Sequence, residues 1–478
     1  MYDQLEVITD IILKAKAKAE RETANEPEPG LTKKIRWPVD CNVGPGLEGA
    51  IACESAVGYV NGSKGALIYR GYSIFDLAAH STFEEVSYLL IHGKLPSASK
   101  LERFKRDLAR YRPLPHALRS LMSFPVEQMN AMAALRIGTN MMRQHQTFRD
   151  QEEARPAPDT AISSDEDSIP MEIKPYGEPD AIYKFKKPVR QGKVKSVPDR
   201  PHHLVDPAGL ASAYHLISGV ATLAAAIARL RKGKMPIEPD PDLSHAANLI
   251  YMMTGRVPTP LEERIMDVAL ILHADHGMNA STFASLVVAS TLSDVYFSVG
   301  AAIAALNGPL HGGANEVVLN TLESIGSPDK VDRWFENARA RKKKITGFGH
   351  RVYKAYDPRA RVLGPLAKYL AKGNRETRGL MKTAEALERR VIGTLGAEKK
   401  IFTNVDYYSG LVYASLGIER ELFTPLFAVS RVSGRTARLL EYLRNNRIFR
   451  PRAVYTGPFD LEYVPVDERE TKPRRQQQ

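Results

Sequence analysis

The chain has 478 residues, 43% hydrophobic and 26% charged, which suffices for a large core spread over two domains. Its two cysteines, Cys41 and Cys53, exclude a disulfide scaffold and a four-cysteine zinc site, and fit a reducing cytoplasm. The net charge of +12 is dispersed along the chain, with clusters at 342–344 and 184–195. That argues against a nucleic-acid partner and suits a phosphate-bearing small molecule such as a nucleotide or coenzyme A.

In chain order, Leu5, Val7, Ile8, Ile11, Ile12 and Leu13 recur at helical spacing and predict a helix over 2–22. The same segment mixes in acids, so no secretory or transit signal is expected. Residues 23–38 are rich in Glu and Pro and read as a linker. Residues 44–49, Gly-Pro-Gly-Leu-Glu-Gly, have the glycine spacing of a dinucleotide fingerprint. Pro38 spoils the strand that should precede it, and no acid lies about 20 residues on, so that reading is rejected. Residues 50–60 and 66–70 predict short strands about a tight turn at Asn61-Gly62.

From Ile74 onward the pattern is helical, with apolar periodicity over 83–92, 208–231, 243–255, 261–276, 280–306, 314–325, 379–395 and 408–417. The fold class is therefore mainly α with a short N-terminal β-hairpin region. The apolar run at 295–306 is too short to cross a bilayer, and no membrane contact is expected. Residues 151–207 interrupt the periodicity: acidic, then basic, with prolines throughout. They read as a mobile insertion or a partner-binding segment, a solvated loop being the better description.

Four segments carry chemistry. Residues 347–360 read Gly-Phe-Gly-His-Arg-Val-Tyr-Lys-Ala-Tyr-Asp-Pro-Arg-Ala and set His350 among Arg351, Lys354 and Arg359. An imidazole with guanidinium groups nearby suits a small anion bearing a carbonyl. His273 and His276 lie three apart on one helical face; His311 sits in a glycine-rich turn; Asp406 adjoins helical sequence. Each also has a plain structural reading: a surface loop, core or metal-binding histidines, a helix cap, a satisfied buried acid.

Together these segments resemble the citrate synthase family. Residues 46–96, 238–248 and 427–431 and the Arg450-Pro451-Arg452 triplet resemble it too, so the likeness covers most of 44–150 and 208–460. The resemblance implies that acetyl-CoA, as co-substrate, condenses with oxaloacetate to give citrate and CoA, with no permanently bound cofactor and no metal. It implies Asp406 as the base on the acetyl methyl group, His311 on the enol oxygen and His350 on the ketone of oxaloacetate. It places His276, Arg359 and Arg431 on oxaloacetate, with Arg450 supplied by the other subunit of a homodimer. Lys354 and Asn404 are implied at CoA. The implied domains are a large helical one (44–312 and 417–465) and a small one (313–416), flanked by an extension (1–43) and a polar tail (466–478). Departures from the family pattern fall at Phe124-Pro125-Val126, Gly277, Leu286, Thr403, Arg435 and Arg438, the last two standing where aromatic residues or histidine are common. The rival readings are 2-methylcitrate synthase acting on propionyl-CoA, a non-catalytic CoA-binding or scaffold protein on the same fold, and a metal hydrolase built on His273 and His276.

Overall fold

The computed structural model describes residues 2–26, 32, 34–153, 207–466 and 469. Nearly all of the predicted insertion and of the polar tail therefore lies outside the described residues.

The helices are α1 (Tyr2–Glu22), α2 (Ile74–His80), α3 (Phe83–His92), α4 (Ala98–Tyr111), α5 (Pro115–Leu121) and α6 (Ala131–Glu153). There follow α7 (Pro207–Leu230), α8 (His245–Thr254), α9 (Pro260–His273), α10 (Ala280–Ser290), α11 (Val295–Leu306) and α12 (Ala314–Ile325). The last are α13 (Val331–Ala340), α14 (Pro358–Ala371), α15 (Arg375–Val391), the short α16 (Ala397–Lys399), α17 (Val405–Ser415) and α18 (Phe423–Leu443). Their ends follow side-chain chemistry. Thr82 caps α3 and Gly93, at φ 80°, ends it. Thr259 and Glu262 form a capping box ahead of Pro260 on α9.

The single segment expected over 280–306 is two helices. Asn279 accepts from Ser281 and Thr282 to start α10, and Asp294 accepts from Tyr296 and Phe297 to start α11. The Asp294 cap outweighs the continuous apolar pattern. Strands β1 (Gly58–Asn61), β2 (Ala66–Tyr69) and β3 (Tyr72–Ser73) form one antiparallel sheet, with Tyr59 opposite Ile68 and Val60 opposite Leu67. Leu67 and Tyr69 alternate onto the buried face, as a half-covered strand requires. The turn runs over 62–65, longer than the tight turn expected at Asn61-Gly62.

Helix α18 is buried over nearly its whole length and packs against α3, α7, α9, α10 and α11. Within α7, Gly209–Leu230 is long and apolar enough to cross a membrane by length and composition, a run the sequence reading passed over. It is 78% buried, as a core helix should be. Helices between 313 and 416 pack chiefly on one another, and α14 also packs on α1, α2 and α9.

Helix α1 is part of this core. Ile8 and Ile12 are fully buried, Thr9 donates to the Ala79 carbonyl, Lys16 pairs with Asp76, and Glu22 pairs with Arg361 of α14. Ile12→Val is expected to cost about 0.5–1.5 kcal/mol. A lower denaturant midpoint at unchanged slope checks it; no shift would place α1 outside the cooperative unit.

Candidate active site

The site is built where α9 ends. A helix leaves its last four carbonyls without intrahelical partners, and a buried end must find others. Here Ser430 donates to Leu270, Tyr69 to Ile271 at 3.2 Å, and Arg431 Nε to His273 at 2.7 Å. The Gly434 amide donates to the Ala274 carbonyl at 3.1 Å. A Cβ at position 434 would lie 2.3 Å from that oxygen, so glycine permits the approach of the two backbones. Arg431 spends only Nε on this cap. Its two terminal amino groups make no hydrogen bond among the described residues, leaving a free fork on a residue 6% exposed. Burial and the Arg359 charge lower its pKa to about 10.

The His350 loop is clamped from below. Gly347 sits at φ 90°, where a Cβ would meet the Tyr407 ring at 2.6 Å. The Asn404 amide donates to Gly347 O, its side chain to Gly349 O, and the Gly349 amide to Phe402 O, each within 2.9 Å. The β1–β2 turn supports the loop's other side: the Lys354 amide donates to Gly62 O at 2.9 Å. His350 Nδ1 accepts two amides, from Val352 and Tyr353, each at 3.0 Å. Nδ1 therefore carries no proton, and the neutral ring offers a single donor, Nε2–H. Burial, together with Arg359, Arg431 and Lys354, brings the His350 pKa down to about 4 despite Asp357. His276 stands 5.3 Å away, ring to ring, and its Nε2 contacts the Tyr353 hydroxyl at 3.1 Å. Gly277, at φ 61°, follows it, and its amide is held by Asp275.

His311 closes the turn from α11 to α12. Its Nε2 accepts the Ser281 amide at 3.3 Å and lies 3.0 Å from Ser281 Oγ. The proton of the neutral ring is therefore on Nδ1. Burial and the Arg431 and Arg435 charges lower its pKa to about 4. Burial and neighbouring cations thus favour the uncharged form of both rings, which leaves each one N–H to offer.

Asp406 occupies the first turn of α17, behind the Asn404 cap. Its carboxylate accepts no hydrogen bond among the described residues. Burial raises its pKa to about 6, opposed by Arg359 and Arg431 and reinforced by Asp357. Arg359, 2% exposed, is gripped by Asp357 through Nε at 3.0 Å and Nη2 at 2.8 Å. Asp357 also takes the Val405 amide at 3.2 Å, tying the starts of α14 and α17 together. Behind them Glu388 accepts from Tyr356, Thr403 and Tyr408.

One cluster therefore gathers His276, His311, His350, Arg359, Arg431 and Asp406, because the Arg431 charge bears on every other member. Lys354 lies on the rim, exposed, its charge felt at His350. Asn404 is committed to capping at both ends of its amide. Arg450 is exposed and donates to the Pro451 carbonyl at 3.4 Å. His273 packs on Phe427 at 3.9 Å with Nδ1 on the Ala269 carbonyl, which makes it a core histidine. No group of three metal-ligating side chains occurs among the described residues. Sequence reasoning missed Ser281, Asp275, Tyr353 and Asp357, and marked Arg435 and Arg438 only as departures from the family pattern. The Asp-Pro step at 357–358, a cap followed by proline at the first helical position, was a usable signal for Asp357.

Two neutral N–H donors, a high-pKa carboxylate and buried guanidinium forks on a helical scaffold define an enzyme of carbonyl chemistry on small carboxylates. The family model described as citrate synthase, C-terminal domain, matches residues 46–169 and 194–452, and the chain belongs to the citrate synthase family. It is 40% identical to a citrate synthase of Acidithiobacillus ferridurans over 435 residues, 90% of this chain and 99% of that one. Its fold is similar to citrate synthase from Pyrobaculum aerophilum, with TM-score 0.73 and 37% identity, covering 92% of this chain and 100% of that one. It is also similar to the Thermoplasma acidophilum enzyme in ternary complex with carboxymethyl coenzyme A and oxaloacetate. There the TM-score is 0.71 and the identity 32%, over 88% of this chain and 97% of that one.

Proposed function

We propose that the chain condenses acetyl-CoA with oxaloacetate and water, releasing citrate and CoA, through the cluster around Arg431. Asp406 takes a methyl proton while His311 Nδ1–H bonds the thioester oxygen, so the enol forms without a full enolate charge. The enol carbon attacks the ketone, and His350 Nε2–H protonates the alkoxide oxygen as the new bond forms. Water then cleaves citryl-CoA to the citrate carboxylate and the CoA thiol. Arg359 and Arg431, with His276, hold the oxaloacetate carboxylates, and Lys354 meets a CoA phosphate with Asn404 close by. The observation that carries this reading is that each histidine has one ring nitrogen occupied by backbone donors. Each is left with one N–H to offer.

The same reading makes the protein a cytoplasmic homodimer, with Arg450 entering the partner's site; its exposure and its lack of a carboxylate partner among the described residues favour this. His311 and His350 lie on opposite sides of residue 313, so closure of 313–416 would complete the site and exclude water.

Thiol release with oxaloacetate tests the proposal. Acetyl-CoA is expected to exceed propionyl-CoA in kcat/KM by about 10-fold or more, the discrimination one methylene allows. The reverse preference would assign methylcitrate synthesis, and no release with either donor would remove the enzymatic reading.

A further inference from the structure

We infer that the β1–β2 turn, through Asn61 and Gly62, is a positioning element for His350. It holds the peptide that donates to Nδ1 and so fixes which ring nitrogen carries the proton. This rests on the role given to His350 above.

Three successive amides of the His350 loop are committed. Those of Val352 and Tyr353 donate to His350 Nδ1, each at 3.0 Å, and that of Lys354 donates to Gly62 O at 2.9 Å. The Val352 carbonyl and the Tyr353 N–H belong to one rigid peptide plane. Its oxygen edge lies against Gly62, where a Cβ would come within 2.2 Å. Its N–H edge meets the imidazole. Gly62 therefore stops this plane from turning, and the Lys354 hydrogen bond fixes the plane after it. Gly65 comes close to the Tyr356 carbonyl in the same way, with 2.7 Å between a Cβ there and that oxygen. Tyr353 is 2% exposed and its hydroxyl contacts His276 Nε2, so the segment bears on both histidines of the oxaloacetate end.

The hairpin's other end is anchored. Gly58 O accepts from Arg438 at 3.2 Å, and the Tyr69 hydroxyl sits on the carbonyls that close α9. Asn61, 6% exposed, accepts the Lys64 amide at 3.0 Å and the Ser63 hydroxyl at 2.9 Å, which holds the turn in shape. The hairpin thus spans from the end of α9 to the His350 loop.

The alternative is that the turn only joins two strands. Two residues suffice for that, yet four, 62–65, separate the paired Asn61 and Ala66. Nor does turn geometry account for Gly62. Gly65 sits at φ 57° and calls for glycine on its own account, but Gly62 does not lie at positive φ. What excludes a side chain at position 62 is the Val352 oxygen.

Turnover and the imidazole nitrogen NMR signals of His350 test this in Gly62→Ala, Asn61→Ala, Asn61→Asp and Gly71→Ala. In Gly62→Ala the new Cβ must displace the plane by about 1 Å, and a misplacement of that size costs about 10²-fold in kcat. Oxaloacetate affinity should change little, because Arg359 and Arg431 hold the carboxylates. The wild-type ring should show one protonated and one unprotonated nitrogen; in Gly62→Ala the two signals should average between tautomers. Asn61→Ala should lower kcat by about 3-fold or more, the lower range of coupling between contacting groups. Asn61→Asp keeps an acceptor and should recover that loss. A Cβ at Gly71, φ 93°, meets nothing within 4 Å, so Gly71→Ala strains the hairpin away from the loop. It should lower the melting temperature and keep wild-type kcat and ring signals. Wild-type kcat or an unchanged ring signal in Gly62→Ala, or an equal loss of kcat in Gly71→Ala, overturns the inference. If Gly62→Ala does not fold, Asn61→Ala decides: wild-type kcat there overturns it. A wild-type chain that releases no CoA fails the parent reading, and the ring signals then still show whether the turn sets the tautomer. An active chain with an unchanged Gly62→Ala fails this inference alone.

Discussion

Asp406→Asn is expected to lower kcat by roughly 10²–10⁴-fold, the usual contribution of a positioned base. Oxaloacetate binding should change little. The amide keeps the shape of the carboxylate but cannot accept the methyl proton. The acid must be ionised to act, so kcat/KM should rise with pH and level off above about 6, the value to which burial raises this carboxyl. The same shift has a cost in stability. A carboxyl with a folded-state pKa of about 6 and an ordinary value of 3.8 binds its proton more tightly when folded. Its contribution to stability therefore falls as pH rises from about 4 to about 6. Asp406→Asn should accordingly melt higher than wild type at pH 7 and lose that advantage near pH 4. A pH-independent difference in melting, or a variant with wild-type turnover, would show that Asp406 is not the buried base.

That conflict between stability and activity recurs across the site. Arg359, Arg431 and Arg435 are three buried cations, with Arg431 feeling the Arg359 charge and Arg435 feeling that of Arg431, and burial together with these charges lowers the pKa values of Arg431 and Arg435. Asp357 neutralises Arg359 directly, but Arg431 keeps its fork unfilled. A dicarboxylate arriving there supplies the missing charge, so substrate binding and relief of repulsion are one event. Burial, with the same cations adding to it, disfavours the charged forms of His311 and His350. The electrostatics thus select an anionic substrate and set the donors for it together.

Much of this was legible from residues. The period-3.6 pattern located α3 and α12 to the residue, because each has a clean cap or glycine stop. It failed at 291–294, where one aspartate decides the break, and it passed over the apolar length of α7. His276, His311, His350, Arg359 and Asp406 stood out in segments whose glycines or arginines signal a turn or an anion, whereas Arg431 came only through the family resemblance. Ser281 was invisible for the opposite reason: it is unremarkable in its own segment, and Arg435 showed only as a departure from the family pattern; their contact joins positions 154 apart. Asn404, implied at CoA by the resemblance, has a further role that the sequence did not signal: it caps α17 and holds the His350 loop.

Arg438→Ala is expected to destabilise the protein by about 3–5 kcal/mol, the usual penalty for orphaning one partner of a buried ion pair. Arg438 Nε and Nη2 reach Asp275 Oδ1 and Oδ2, both at 2.7 Å, with the two side chains 4% and 2% exposed. The guanidinium also reaches Ser55 Oγ at 3.0 Å and Gly58 O at 3.2 Å. One side chain therefore joins β1, the turn after α9 and α18. Burial alone would raise the Asp275 carboxyl, but the Arg438 charge and its hydrogen bonds hold it below the usual range. The linkage then runs opposite to that of Asp406: the pair's contribution is complete above pH 4 and is lost only as pH falls further. Removing both groups, as Asp275→Ala with Arg438→Ala, should restore part of the loss, because no uncompensated charge remains. Oxaloacetate affinity should weaken in the single variant, since Asp275 fixes the Gly277 amide beside His276. Denaturant unfolding of the two variants at pH 7 measures both energies. A loss below about 1 kcal/mol would rank the pair with exposed ion pairs and would leave the turn after α9 held by the Tyr69 and α18 backbone contacts alone.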